Sequence, residues 1–394
     1  MIIDSTSSGL RLFDMTVPED VGALAELRAS GTVLRELDVL PALIDELFSI
    51  EFPFVPPGTS VYEKTLRRYL DNRWNGGSVD RLGVWAYYPW QQCAVHLPSE
   101  REFLLLRTAR NRFLITPEEQ DVFYTSRVGV GGLSVGLSAV TSLVLSGGAG
   151  QVRIADHDTL GLTNLNRLLG SVCQLGSPKT EICLQRVLEL NPFQTVLAFD
   201  GLTDATVDQF LGDGDEKLDL FIEEIDDIRM KAVSRFAART RRIPVIMATD
   251  NGDNAIIDIE RFDLEPDRQL FHGFVPENEL RAIPSNPSLA ERVKLASAIV
   301  GPDITPRTQL SLQEVGARLP AWPQLGTAAT LSGVLCAYVA RRILTGQTMP
   351  SGRYFVSLDS LLDVDYPSPG ATAERARIKS EFVNNLSAMF GVTL

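Results

Sequence analysis

Between residues 125 and 250 the chain alternates short apolar, β-branched runs with stretches of helical period. The junction that opens this region is rich in glycine, GVGGLSVGLSAV over 129–140. Strands are predicted at 127–131, 151–155, 193–199, 218–222 and 243–248. Helices are predicted between them at 137–146, 178–190, 205–211 and 228–240. Strand–helix alternation of this kind forms a parallel sheet with helices on both faces, because each crossover must pack back onto the sheet. Such a sheet binds ligands beyond the carboxyl ends of its strands, where a glycine turn and a helix N-terminus present backbone N–H groups to phosphate. The expected fold class is therefore α/β, a doubly wound, mostly parallel, Rossmann-like sheet.

The glycine loop fits the dinucleotide spacing G-x-G-x-x-G imperfectly. Gly129, Gly131 and Ser134 fit one register, and Gly132, Ser134 and Gly136 fit another. Asp156 closes the second strand 20 residues after Gly136, where a dinucleotide enzyme keeps its ribose acceptor. The stretch around and beyond Asp156 is more specific. ADHDTLGLTNLNRLLGSVCQLGSPK, 155–179, collects two carboxylates, an asparagine, an arginine and a lysine in one region. Activation of a carboxylate by ATP calls for that set: an acid for the ribose, cations for the triphosphate, and a further carboxylate for Mg²⁺.

At these residues the sequence resembles the ThiF/MoeB family of adenylyltransferases, relatives of the ubiquitin-activating enzymes. The resemblance covers roughly 110–362. It rests on the glycine loop, on D-H-D-x5-N-L-N-R from Asp156 to Arg167, on LGSPK ending at Lys179, on LELNP over 188–192 and on DLFIEEIDD over 219–227. Family spacing counted back from Asp156 puts the first loop glycine at Gly132, so Ser134 stands where the family has glycine and Gly136 follows. The resemblance implies ATP and Mg²⁺ as cofactors. It gives Asp156 the adenosine ribose, Asn164 and Arg167 the phosphates, Lys179 the charge on leaving pyrophosphate, and Asp226 the metal. Asp227 stands where the family usually has asparagine, with a metal or adenine contact. The family also sends an arginine into the neighbouring subunit's site, and RTARNRFLITPEEQ offers Arg110, with Arg112 as fallback. Taken singly, each acid could cap a turn and each base could pair on the surface; the joint spacing is what speaks for a site.

Outside this region the sequence divides the chain into 1–108, a small N-terminal α+β module suited to peptide or partner recognition, and 109–394, the adenylation domain. Within the module a helix is expected over 33–50 and another over SVYEKTLRRYLDNRW, with strands at LGVWAYYPW and CAVHLP. The aromatic cluster Trp85, Tyr87, Tyr88 and Trp90 reads as packing against the next domain in preference to a binding surface. Residues 261–323 are punctuated by proline and read as loops with one or two helices. LGTAATLSGVLCAYVARRILTG, 325–346, reads as a long apolar helix for a core or a subunit interface, and SGRYFVSLDSLL as a closing strand.

Charge and cysteine usage narrow the functions. With 37 basic against 50 acidic residues the net charge is −13, which repels nucleic acid and anionic membranes. No apolar run reaches the roughly 20 residues of a membrane span, and the N-terminus lacks a signal peptide's basic start, so a cytoplasmic location is expected. Cys93, Cys173, Cys183 and Cys336 form no C-x-x-C pair, unlike the zinc-binding relatives. Between Asp226 and Cys336 no cysteine occurs, so a sulfur relay or thioester is not expected. What remains is an acyl-adenylate consumed by direct nucleophilic attack. By resemblance the substrate is a ribosomal peptide or a small carrier protein in antibiotic-type natural-product biosynthesis, handled by a homodimer. The alternatives are an adenylyltransferase of thiamine or molybdopterin sulfur metabolism, and a catalytically weak nucleotide-binding scaffold subunit.

Overall fold

A computed structural model describes residues 2–4, 9–74 and 81–390. It contains twelve strands: β1 (Ile2–Asp4), β2 (Arg11–Asp14), β3 (Arg35–Asp38), β4 (Val84–Tyr88), β5 (Cys93–Leu97), β6 (Arg127–Gly131), β7 (Gln151–Asp156), β8 (Thr195–Asp200), β9 (Leu220–Glu223), β10 (Val245–Asn251), β11 (Asn254–Glu260) and β12 (Gly352–Val356). They form an eight-stranded sheet in the order β1-β8-β7-β6-β9-β10-β11-β12 and a four-stranded sheet in the order β2-β4-β5-β3. By contacts the chain divides into two compact units, Val122–Leu184 with Val196–Leu394 and Met1–Ile2, and Ile3–Asp121 with Gln185–Thr195.

In the large unit β7, β6, β9 and β10 pair in parallel, as the alternation of strand and helix requires. The chain passes from β6 to β7 on one side and returns to β9 on the other. The order therefore reverses beside β6, and the crevice at that reversal is where such sheets take ligands. Helix Gly136–Leu145 leaves the glycine loop almost wholly buried. Helix Gly326–Leu344 packs against it so closely that a Cβ at Gly333 would lie 2.4 Å from Ser138 Cβ. A core cluster with Phe199, Phe210 and Phe221 in edge-to-face contact holds the sheet to helix Ile228–Thr240.

Two features of the large unit depart from the sequence reading. The predicted strand 243–248 is the first arm of a hairpin: β10 continues to Asn251 and turns through Gly252 (φ +69°) into β11, which was not predicted. β11 is buried along its whole length despite carrying Asp258 and Glu260. Its acids find partners from elsewhere in the chain, Arg353 and His272 for Asp258 and the buried Arg235 for Glu260. Downstream of β12 the chain continues as helix Leu358–Leu362 and the 22-residue helix Pro369–Phe390, whose Ile378 and Phe382 are buried.

The small unit corrects one expectation about its helices and one about its aromatics. The predicted helix over 33–50 splits into β3 and helix Leu40–Glu51, which starts with Pro41 in its first turn. Proline's fixed φ suits a helix start, and it disfavours helix in the residue before it. Most of the aromatic cluster packs inside its own unit, while Trp90 meets Glu189, a residue of the predicted 109–394 domain. Alternation along β4 sends Trp85 and Tyr87 to one face, with Phe13 and Leu24, and Tyr88 to the other, with Leu97. Trp85 stacks on His96 at 4.6 Å. The second segment of this unit completes it: Glu189 accepts hydrogen bonds from Trp90 Nε1 (2.7 Å) and Gln91 Nε2 (3.1 Å), and Phe193 meets Phe103 edge to face.

Candidate nucleotide site

The glycine loop turns at Gly132, whose φ of +86° is left-handed and whose N–H donates to Ala155 O (2.8 Å). A Cβ at Gly132 would lie 2.1 Å from the carbonyl oxygen of Glu224, at the end of β9, so only glycine fits between the two strand ends. Gly136 serves the helix behind the loop, where a Cβ would press to 2.8 Å from Val130 Cγ1. Asp156 ties the loop down: Oδ2 accepts from Leu133 N (2.7 Å), and Oδ1 accepts from Asp158 N (2.8 Å). The carboxylate thus fixes the ends of β6 and β7 together.

Lys179 sits at the first position of helix Lys179–Leu190 and is 5% exposed. A cation at the positive end of a helix dipole, and buried, is costly unless acids answer it. Here Nζ donates to Asp158 Oδ2 (2.7 Å) and lies 3.7 Å from Asp156 Oδ2. The hydrogen bond from Lys179 holds the Asp158 carboxyl below the usual carboxylate range. Lys179 and the helix N-terminus thus bring N–H donors to the carboxyl edge of the sheet, with two carboxylates beside them.

Arg167 is half-buried and held on three sides. Nε donates to Ser134 Oγ (3.1 Å), and a terminal nitrogen donates to Asn166 Oδ1 (2.9 Å) and Thr163 O (3.3 Å). Ser134, the serine at a family glycine position, therefore has a structural partner in this chain. Asn164 Oδ1 accepts from Gly161 N (2.9 Å) and closes the turn Leu162–Asn164, which leaves its amide nitrogen as the group for a ligand contact. Arg110 and Arg112 are exposed in the small unit, at the turn Ala109–Asn111 and just after it.

The acids after β9 take different parts. Glu223 is fully buried and pairs with Arg235 and with Lys231 Nζ (3.1 Å). Glu224 Oε1 accepts from Ala248 N (2.7 Å), and burial pushes its carboxyl up to about 8 against the pull of Lys231. Asp226 is exposed beyond the strand end. Asp227 is the N-cap of helix Ile228–Thr240, with Oδ1 accepting from Met230 N (2.8 Å). Among the described residues, Asp156, His157 and Asp158 bring metal-ligand atoms within 4.8 Å of one another. Lys179 already pairs with both carboxylates there.

One acid that the sequence reading passed over belongs to this neighbourhood. Asp250, at the carboxyl end of β10, is 6% exposed and accepts from Ser332 Oγ (2.8 Å) and Gln324 Nε2 (3.0 Å). Burial raises its carboxyl above the ordinary value, while Ser332, Gln324 and the charge of Arg167 pull it back. Its place at the end of a predicted strand beside the switch point was the available signal.

The thiols are mostly closed off. Cys93, Cys183 and Cys336 are buried and Cys173 is exposed. Burial drives the Cys183 thiol far up, and burial with Glu224 beside it does the same to Cys336. Among the described residues no helix is long and apolar enough to cross a membrane.

A model of the ThiF family matches residues 108–373. The uncharacterized protein MT1398 of Mycobacterium tuberculosis is 37% identical over 285 residues, covering 72% of this chain and 39% of that protein. The tRNA threonylcarbamoyladenosine dehydratase of Bacillus subtilis is 31% identical over 174 residues, covering 41% of this chain and 66% of that enzyme. The chain thus spans about two fifths of the first relative's length and just under two thirds of the second's. Among solved structures, E. coli MccB with MccA-N7isoASN aligns at 15% identity and TM-score 0.46, covering 78% and 81% of the two chains. E. coli TcdA in complex with ATP aligns at 17% identity and TM-score 0.43, covering 61% and 95%.

Proposed function

The chain belongs to the ThiF family, and from that premise we propose that it activates a carboxylate with ATP and Mg²⁺ as an acyl-adenylate. The observation that supports this most is the buried Lys179 at a helix N-terminus, beside the left-handed Gly132 turn and the restrained Arg167. Lys179 and Arg167 take the triphosphate charge, Asn164 adds an amide donor, and Asp156 at the end of β7 takes the ribose. Asp226 holds Mg²⁺ from beyond β9 and Asp227 helps through its helix cap, with Ser134 and Gly136 shaping the phosphate turn. Bound Mg²⁺ would supply charge neutralisation on the phosphates. Calorimetry should show ATP·Mg binding and no NAD binding, with Asp226→Asn removing the Mg²⁺ dependence. NAD binding with no ATP signal would refute the assignment.

The substrate carboxylate belongs to a peptide or small protein, with residues 1–108 as the recognition module and 109–394 as the adenylation domain. Two relatives are named for a modified tRNA nucleoside, but a net charge of −13 weighs against an RNA substrate for this chain. Direct attack on the adenylate is the proposed second step, since three of the four thiols are buried. A variant with all four cysteines replaced should keep most of its activity. Loss of product on Cys173→Ala alone, with pyrophosphate exchange intact, would favour the sulfur-relay alternative. The active form is proposed to be a homodimer in which Arg110 reaches the partner's site. Sedimentation of an active monomer at micromolar concentration would count against it.

A further inference from the structure

Gln324 lies just ahead of helix Gly326–Leu344, and its backbone and side chain face two different polar partners. Its Nε2 donates to Asp250 Oδ2 (3.0 Å), and its carbonyl oxygen accepts from Asn166 Nδ2 (2.8 Å). Asn166 in turn accepts from Arg167 through Oδ1 (2.9 Å). At the far end Ser332 Oγ, one and a half turns into the same helix, donates to Asp250 Oδ1 (2.8 Å). A chain of four hydrogen bonds thus runs from Ser332 through Asp250, Gln324 and Asn166 to Arg167. The helix start is pressed against this chain: a Cβ at Gly326 would lie 2.5 Å from Asn166 O.

Each link does something the others do not. Asp250 is a buried acid whose two hydrogen-bond partners are both neutral donors, an arrangement less favourable than direct pairing with a base. The charge of Arg167 acts on it. The two oxygens of Asp250 meanwhile hold the Gln324 side chain and Ser332 of the helix. A guanidinium held by Ser134 on one edge and Asn166 on another has few rotamers left, so a ligand would meet it already oriented.

We propose that Asp250 is a positioning residue that, through Gln324 and Asn166, holds Arg167 in the orientation in which it meets phosphate. Asp250 itself touches no nucleotide. The consequence for ATP rests on the function proposed above; the restraint on Arg167 does not.

The test reads the two separately in the full chain. Phenylglyoxal labelling, followed peptide by peptide in the mass spectrometer, reports how freely each arginine moves. Asp250→Asn, Gln324→Ala and Gly326→Ala should each raise the labelling rate of Arg167 by about 3–10-fold, the scale of one lost hydrogen bond. The fully buried Arg235 serves as the internal control and should stay unlabelled, which separates local loosening from general unfolding. An Arg167 rate within about 2-fold of the parent in all three variants, against the scale of one lost bond, would overturn the proposal. In calorimetry, Asp250→Asn should weaken ATP by about 3–10-fold, and by nothing further when Arg167→Ala is already present, because neighbours in one network are not additive. Equal losses in both backgrounds would also overturn it. If the labelling responds as stated but the parent chain binds no ATP, the functional assignment fails and the positioning role stands.

Discussion

Replacing Gly132 by alanine is expected to lower the free energy of unfolding by roughly 2–5 kcal/mol. Two costs add. A left-handed φ of +86° costs an L-residue about 1–2 kcal/mol. The new methyl also meets the Glu224 carbonyl at 2.1 Å, and crowding into packed structure costs about 1–3 kcal/mol. That oxygen is backbone, so no side chain can swing aside to relieve it. Glu224 N donates to Gly131 O (2.7 Å), which prevents the two strand ends from separating without loss of that bond. Denaturant titration checks this through the midpoint at constant slope. A midpoint unchanged from the parent would show that the β6 and β9 ends are not packed as described.

Lys179→Ala is expected to weaken ATP binding by about 10–100-fold, the value of one charge-assisted hydrogen bond to phosphate, with a further loss in turnover. Adenosine, which has no phosphate, should bind the variant as it binds the parent. Folding should survive. Asp158 loses its partner but its side chain is 50% exposed and can rehydrate, while Asp156 keeps the Leu133 and Asp158 amides. The pairing with Asp158 uses one of the three N–H donors of the ammonium, which leaves others for a phosphate oxygen. Equal ATP affinity in parent and variant would remove Lys179 from the site.

The sheet's parallel core was legible because its rules are local. Each predicted strand from 127 to 248 overlaps an observed one, and helix Ile228–Thr240 has the predicted bounds. β11 was not legible, and Asp258 and Glu260 are the reason. Read alone, two acids in a seven-residue run argue against a buried strand. They are neutralised by Arg353, 95 residues later, and Arg235, 25 residues earlier, which no local pattern reveals. Asp250 escaped for the same cause, since Gln324 and Ser332 lie more than 70 residues away. The split of the predicted 33–50 helix had a local signal in Pro41 that the helical period outweighed. The Asp227 cap was readable as an acid followed by a helix, and it shows that one side chain can satisfy both a helix N-terminus and a motif position.

The small unit draws its last piece, Gln185–Thr195, from beyond β6, helix Gly136–Leu145 and β7 of the large unit. This interleaving bears on biosynthesis and on evolution. When residue 121 has left the ribosome, Trp90 and Gln91 still lack Glu189, and Phe103 still lacks Phe193. The N-terminal unit cannot finish folding ahead of the rest, and must wait some 70 residues for its final strut. Nor can it be grafted elsewhere at one junction: a recombination that carries only the first 121 residues leaves out Glu189 and Phe193.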